Sequence, residues 1–218
     1  MSGFRPAALR FFQDLEDDNS REFWLAHADT YERDVKQPML ALLESLPTTY
    51  QPFRLYRMNR DLRFTKDKSP YKLQQGAISE AEGGDYYLHV DGTGLLAAAG
   101  AYQLEPDQLE RYRTAVDDAR KGEALERIVA ELEHQGVATM MGMPPLRTAP
   151  RGYAKDHPRI GLLRRKGLVG SRTVTGTALG DGERVRDFVV ETFTACQPLV
   201  GWLTRHVGAS ARRGEPPR

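Results

Sequence analysis

The 218-residue sequence predicts an α+β fold, because helical patterns open and close the chain while its strand-like runs are grouped in the middle. Phe4, Ala8, Phe11, Phe12 and Leu15 recur at helical spacing. Asp18-Asn19-Ser20 then offers an N-cap for a second helix carrying Phe23, Trp24, His27, Tyr31 and Val35. Pro38 either kinks that helix or starts a third that runs to about Leu46, where Pro47 stops it.

Phe53 to Asn59 alternates in the manner of a strand, and Lys72 to Ser79 is its expected partner. Asp85 to Val90 and Leu95 to Tyr102 flank Asp91-Gly92-Thr93-Gly94 as a hairpin. These runs predict a central antiparallel sheet of about four or more strands, with helices from both termini packed on it. Pro106-Asp107 begins a helix, and a second runs from Glu123 to His134 and ends at Gly136. Met140 to Gly180 reads as an extended region with short strands such as Leu168 to Val174, and the last helix runs from Gly182 to about Val207. No Ser/Gly/Pro-rich linker divides the chain, so a single domain is expected over residues 1–208, with a disordered tail over 209–218.

A chain of this length buries enough surface to fold without disulfides or a structural metal. Its lone cysteine, Cys196, sits in an apolar helical stretch and reads as a buried, inert thiol. No apolar run is long enough to span a bilayer and no signal-type segment opens the sequence, so a cytoplasmic protein without membrane partners is expected.

The net charge of +1 hides a segregation. From Arg54 to Lys72 seven basic residues stand against Asp61 and Asp67, and from Arg151 to Arg172 seven stand against Asp156. The rest of the chain is correspondingly acidic. Two basic segments on an acidic body favour anionic ligands through their local field.

Within the first segment, Arg57, Arg60, Asp61, Arg63, Phe64, Asp67, Lys68 and Tyr71 closely resemble the signature of a family of bacterial and fungal proteins called domain of unknown function 2461. The resemblance extends to Asn19–Pro38, to Tyr86-Tyr87-Leu88-His89, and to Pro150-Arg151-Gly152-Tyr153 with Asp156-His157-Pro158. It covers nearly the whole chain. It implies a shared fold and a shared site, and carries no activity with it.

The residues themselves suggest a chemistry for that site. Arg57, Arg60 and Arg63 fan around a strand end, where planar guanidinium forks can clamp phosphate or carboxylate, and Lys68 adds a point charge. Tyr71 or Phe64 can stack on a ring, and Arg151, Tyr153 and Lys155 of the second segment are expected as further ligand contacts. For proton transfer, Asp61 is one candidate, although neighbouring arginines lower a carboxylate's pKa. His157 is the other, by its intrinsic pKa, and His89 with Asp91 shares a strand face as an acid/base pair or weak metal site.

The leading expectation is a site for a phosphorylated or nucleotide-like small molecule, in a hydrolase or transferase. The alternatives are a nucleic-acid-binding module in which both basic segments track phosphates, and a structural or partner-binding protein in which the arginines and aspartates form a salt-bridge network. Nucleophile-elbow, P-loop, zincin and paired-cysteine motifs do not occur in the sequence, and neither a cofactor nor a metal can be argued from it.

Overall fold

A computed structural model describes residues 3–63, 67–140 and 142–211. The fold is α+β. Six strands form one sheet in the order β1-β2-β3-β4-β6-β5: β1 Arg54–Leu55, β2 Gln74–Ser79, β3 Asp85–Asp91, β4 Leu95–Ala101, β5 Ala138–Met140 and β6 Leu168–Val174. The four strands expected from the sequence are present. Leu168–Val174, also expected as a short strand, joins them as β6, and β5 is the one strand the sequence did not suggest.

The chain forms two compact units: Met1–Ser79 with Tyr87–Ala97 and Thr173–Glu191, and Glu80–Tyr86 with Ala98–Arg172 and Thr192–Arg218. In the first, α1 (Pro6–Asp17) starts at Pro6, a residue whose missing N–H costs nothing in the first turn, and buries Ala8, Phe11, Phe12 and Leu15. The second predicted helix is not continuous. It begins as α2 (Arg21–Ala26), capped by Phe23 N–H donating to Ser20 Oγ at 3.1 Å, and breaks at His27 before α3 (Ala28–Thr30). Tyr31–Lys36 then widens into a π-helical turn that leads into α4 (Gln37–Ser45). Pro38 explains the widening. It has no N–H to give to Asp34 and its ring would collide with that carbonyl, so the preceding bond runs five residues back, from Gln37 N–H to Glu32 O.

This irregular helical stretch frames an aromatic cluster. Phe11 lies 5.3–5.9 Å from the rings of Phe12, Phe23, Trp24 and Tyr31, and Trp24 continues the cluster to Tyr71. Along β3, Tyr86, Leu88 and Val90 are buried, while Asp85, Tyr87, His89 and Asp91 alternate with them on a half-exposed face. The β3–β4 turn is tied by Asp91, whose Oδ1 accepts from Thr93 N, Thr93 Oγ1 and Gly94 N.

The second unit is built on α5 (Pro106–Asp117), α6 (Ala119–His134), the short α7 (Ile160–Leu163) and residues of α8 (Gly182–His206). Tyr112, Leu125, Leu132, Phe193, Cys196 and Leu203 are completely or almost completely buried there. At the end of α6, Gly136 adopts φ 72°, Gly136 N–H donates to Glu133 O and Val137 N–H to Leu132 O, the paired bonds of a Schellman cap. The tail expected to be disordered from Ala209 is held at its start. Ser210 is buried and donates to Asp107 Oδ1, and Ala211 N–H donates to Asp107 Oδ2. The remainder of that tail, 212–218, lies outside the described residues.

Candidate functional site

The Arg57–Tyr71 segment is a hairpin loop on a broken ladder. Arg54 pairs with Ile78, Leu55 with Ala77, and Tyr56 N–H donates to Gly76 O at 2.9 Å. Pairing resumes with Lys72 N–H on Met58 O, the bridge between Asn59 and Tyr71, and Arg60 N–H on Pro70 O. Between the two stretches the first strand advances from Tyr56 to Met58 while the second covers Lys72 to Gly76, so the returning strand bulges. The strand expected over Phe53–Asn59 is therefore regular only at Arg54–Leu55.

Gln75 makes the bulge possible. Its buried amide Nε2 donates to Tyr56 O at 2.9 Å and to Gly76 O at 3.1 Å, replacing a missing backbone partner, while its Oε1 accepts from Tyr31 Oη at 2.6 Å. Burial, aided by the charge of Glu32, pushes the Tyr31 hydroxyl up to about 12, so it stays a donor.

Tyr71 is fixed in the core. Tyr71 N–H donates to Asn19 Oδ1 at 3.0 Å and Asn19 Nδ2 donates back to Tyr71 O at 3.1 Å, so one side-chain amide imitates a neighbouring strand. Its ring stacks on Trp24 with centroids 4.4 Å apart and planes 14° apart, and the residue is 7% exposed. This corrects the expectation that Tyr71 stacks on a ligand: its ring is buried against Trp24. Phe64, the other ring offered by the sequence, lies outside the described residues.

Among the described residues, most charges of the loop are spent on the loop. Asp61 receives Arg63 through a bidentate contact, with Nε 3.0 Å from Oδ1 and Nη2 2.7 Å from Oδ2, and also accepts Arg63 N–H at 3.1 Å. Asp67 accepts from Ser69 N at 2.9 Å and Ser69 Oγ at 2.7 Å, and is paired with Arg60 across the loop. Lys68 Nζ closes the same span on Leu62 O at 3.1 Å. The Arg63 bonds hold the Asp61 carboxyl at about 2, and the Ser69 bonds followed by Arg60 hold Asp67 at about 2. Asp61 is thus corrected from candidate base to loop anchor, since a carboxylate that acidic is a poor proton acceptor near neutrality.

Arg57 and Lys72 behave differently. Lys72 Nζ donates to Arg57 O at 2.8 Å, and among the described residues neither side chain pairs with a carboxylate. Burial and the neighbouring Arg57 charge lower the Lys72 pKa. Both residues line a pocket of about 690 Å³ together with Arg54, Leu55, Tyr56, Asn59, Arg60, Asp61 and Arg63. Five cations and one acid form its lining, and all of them belong to the first unit. The Tyr56 ring is its aromatic wall, with the Arg54 guanidinium 5.0 Å and Lys72 Nζ 5.2 Å from the ring centroid. Sequence reasoning named neither Tyr56 nor Lys72 as a site residue. The signal for Tyr56 was the basic-aromatic alternation Arg54-Leu55-Tyr56-Arg57, which places Tyr56 and Arg54 on one strand face, and Lys72 closes the first basic segment.

In the second basic segment, in the second unit, two arginines terminate helices and a third ties down a loop. Arg159 donates to Val116 O at 2.7 Å and Asp117 O at 3.0 Å at the end of α5, Arg172 donates to Gln135 O at the end of α6, and Arg164 donates to Leu146 O. Cations suit these positions because the last carbonyls of a helix are unpaired and carry the negative end of its dipole. His157 is corrected in the same sense. Its Nδ1 accepts Arg159 N–H at 3.0 Å, which places the ring proton on Nε2, 3.0 Å from Asp117 Oδ1, so both nitrogens are engaged. Tyr153 packs edge-on to His157 and bonds Thr114, while Arg151 and Lys155 are exposed and make no hydrogen bond or ion pair among the described residues.

His89 and Asp91 do share a face, with Nε2 3.4 Å from Oδ2, and burial lowers the His89 pKa against the opposing pull of Asp91. Among the described residues no group of three or more His, Cys, Asp or Glu is placed to hold a metal ion, and no helix is long and apolar enough to cross a membrane.

The fold and the pocket define an α+β protein with an arginine-lined cleft beside an edge strand of its sheet. The chain belongs to the family described as "Conserved hypothetical protein (DUF2461)", whose model matches residues 7–202. No curated protein and no solved structure matches it.

Proposed function

We propose that the pocket beside β1 binds a phosphorylated small molecule, with Arg57 and Lys72 as its principal anion contacts and Arg54 and Arg60 at its rim. The supporting observation is the Arg57–Lys72 pair: two cations held side by side in a pocket, neither in a salt bridge with a carboxylate among the described residues, and with Asp61, the acid that feels the Arg57 charge, already engaged by Arg63. An anion placed between them relieves their mutual repulsion and gains charge-assisted hydrogen bonds. The reading covers binding; a hydrolase or transferase would need a proton-transfer group at this pocket, and Asp61 is too acidic for that role.

The loop itself supports a second, structural role. The Arg60–Asp67 and Arg63–Asp61 pairs and the two aspartate-capped turns brace the wall from which Arg57 projects. The motif is thus divided between residues that shape the loop and residues that face a ligand.

A thermal-shift series with inorganic diphosphate, phosphate, sugar phosphates and nucleoside monophosphates tests the reading. Stabilisation by phosphorylated compounds that vanishes in Arg57→Ala supports it. Absence of stabilisation across the series refutes it.

A further inference from the structure

The half-exposed face of the sheet continues the pocket. Tyr56 lies opposite Gly76 on β2, joined by the bond from Tyr56 N–H to Gly76 O, and opposite residues of an antiparallel pair share a face. A Cβ built on Gly76 would lie 2.9 Å from Tyr87 Oη and 3.1 Å from Tyr56 Cδ2. Both tyrosines therefore lean over the same glycine, one just after β1 and one from β3, and only a residue without a side chain leaves them that room.

Tyr87 is held in place from several directions. Gln74 Nε2 donates to Tyr87 Oη at 2.9 Å, and the His89 ring packs edge-on to it with centroids 5.6 Å apart. His89 is in turn placed beside Asp91, with Nε2 3.4 Å from Oδ2. Tyr56 is set by the Arg54 and Lys72 cations over its ring and by the backbone bond to β2. Two half-exposed rings fixed by neighbouring side chains form a pre-organised aromatic ledge. One end of that ledge, Tyr56, is itself a wall of the cationic pocket.

We propose that the ligand is a phosphate ester bearing a planar ring, of the nucleotide class: its phosphate sits at Arg57 and Lys72 and its ring lies on the Tyr56–Tyr87 ledge over Gly76. The inference rests on the anion-binding reading above and goes further by naming what the phosphate carries. A sugar phosphate or inorganic phosphate would satisfy the cations and leave the rings unused. A ring on the ledge adds stacking, which is insensitive to base identity and changes affinity by about tenfold or more.

The test is calorimetric titration of the full chain with the four nucleoside 5′-monophosphates and with ribose 5-phosphate. The tightest nucleotide is expected to bind at least about tenfold more tightly than ribose 5-phosphate. In Tyr56→Leu the nucleotide should lose its advantage, so that it and ribose 5-phosphate bind within about threefold of each other. Gly76→Ala, which displaces both rings, should act in the same direction, so the conclusion does not hang on one variant. If all five compounds bind equally and both variants leave that equality untouched, the ring assignment is wrong and the anion site stands. If none binds, or if Arg57→Ala binds all of them as the parent chain does, both readings are wrong.

Discussion

Lys72 Nζ donates to the backbone carbonyl of Arg57 at 2.8 Å, so the cation following the loop is tied to the strand that carries the cation preceding it. Burial first, and the Arg57 charge second, lower the Lys72 pKa. Removing the neighbouring charge in Arg57→Ala should therefore raise it, and so should binding of inorganic diphosphate to the parent chain. Titration of the labelled lysine side chain by NMR reads both changes. A Lys72 pKa that is unmoved in Arg57→Ala would mean that the two charges do not feel each other.

The contacts that hold the loop to the core should matter more for stability than the ion pairs within it. Tyr71→Ala removes a ring stacked on Trp24 and buried to 7% exposure, and is expected to cost about 3 kcal/mol. Asn19→Ala leaves the Tyr71 N–H and C=O without their partner, for about 1–3 kcal/mol. Asp61→Asn and Asp67→Asn affect exposed pairs, and their midpoints should move by no more than about 2 °C. Chemical and thermal denaturation of the four variants would establish the order, and a large loss in either aspartate variant would reverse the assignment of roles.

His89 should give the acid side of the stability profile a specific component. Its pKa is lowered in the fold by burial, so the unfolded chain takes up the proton first as pH falls below the ordinary histidine value of about 6.5. Its contribution is therefore fully present above that value and is lost as pH drops through the lower folded value. In His89→Gln, melting temperatures measured between pH 7 and pH 5 should decline less steeply than in the parent chain. An identical slope in both would place the titration elsewhere.

Cys196 is fully buried, and burial pushes its thiol up to about 11. Thiolate is the reactive species, so labelling by a disulfide reagent near neutral pH should be slow in the folded chain and complete within minutes in denaturant. Rapid labelling of the native chain would show that the second unit opens readily around α8.

The fold was legible where local signals agreed with packing. Phe4, Ala8, Phe11, Phe12 and Leu15 are the buried stripe of α1 and its entry, Ser20 caps α2, Asp91 ties the β3–β4 turn, and Gly136 ends α6. The break at His27 and the π-helical turn before Pro38 were not legible, because helical spacing of Phe23, Trp24 and Tyr31 survives a change of helix type. Nor was the bulge at Gln75, since an amide that substitutes for a backbone partner leaves no periodic trace.

The site was legible as a location and less so as a set of roles. Arg57 to Tyr71 is a charged loop beside a pocket, as the density of basic residues implies, but composition does not say which charges cancel. Arg60 and Arg63 turn to aspartates of their own loop, Tyr71 turns into the core, and Lys72 with Tyr56 completes the pocket from positions outside the signature residues. In the second basic segment, Arg159 and Arg172 meet helix-terminal carbonyls that are far away in sequence, so their use could not be read from charge alone.

If the motif divides as proposed, with Arg57 on an anion and the Arg60–Asp67 pair bracing the loop, binding of inorganic diphosphate depends on Arg57. Calorimetric titration of inorganic diphosphate into the parent chain, Arg57→Ala and Lys155→Ala tests it directly, with circular dichroism to verify that each variant is folded. Binding to the parent chain is expected, with a loss of about tenfold or more in Arg57→Ala and no change in Lys155→Ala. Equal affinity in the parent chain and Arg57→Ala, or no heat of binding in the parent chain, would contradict it.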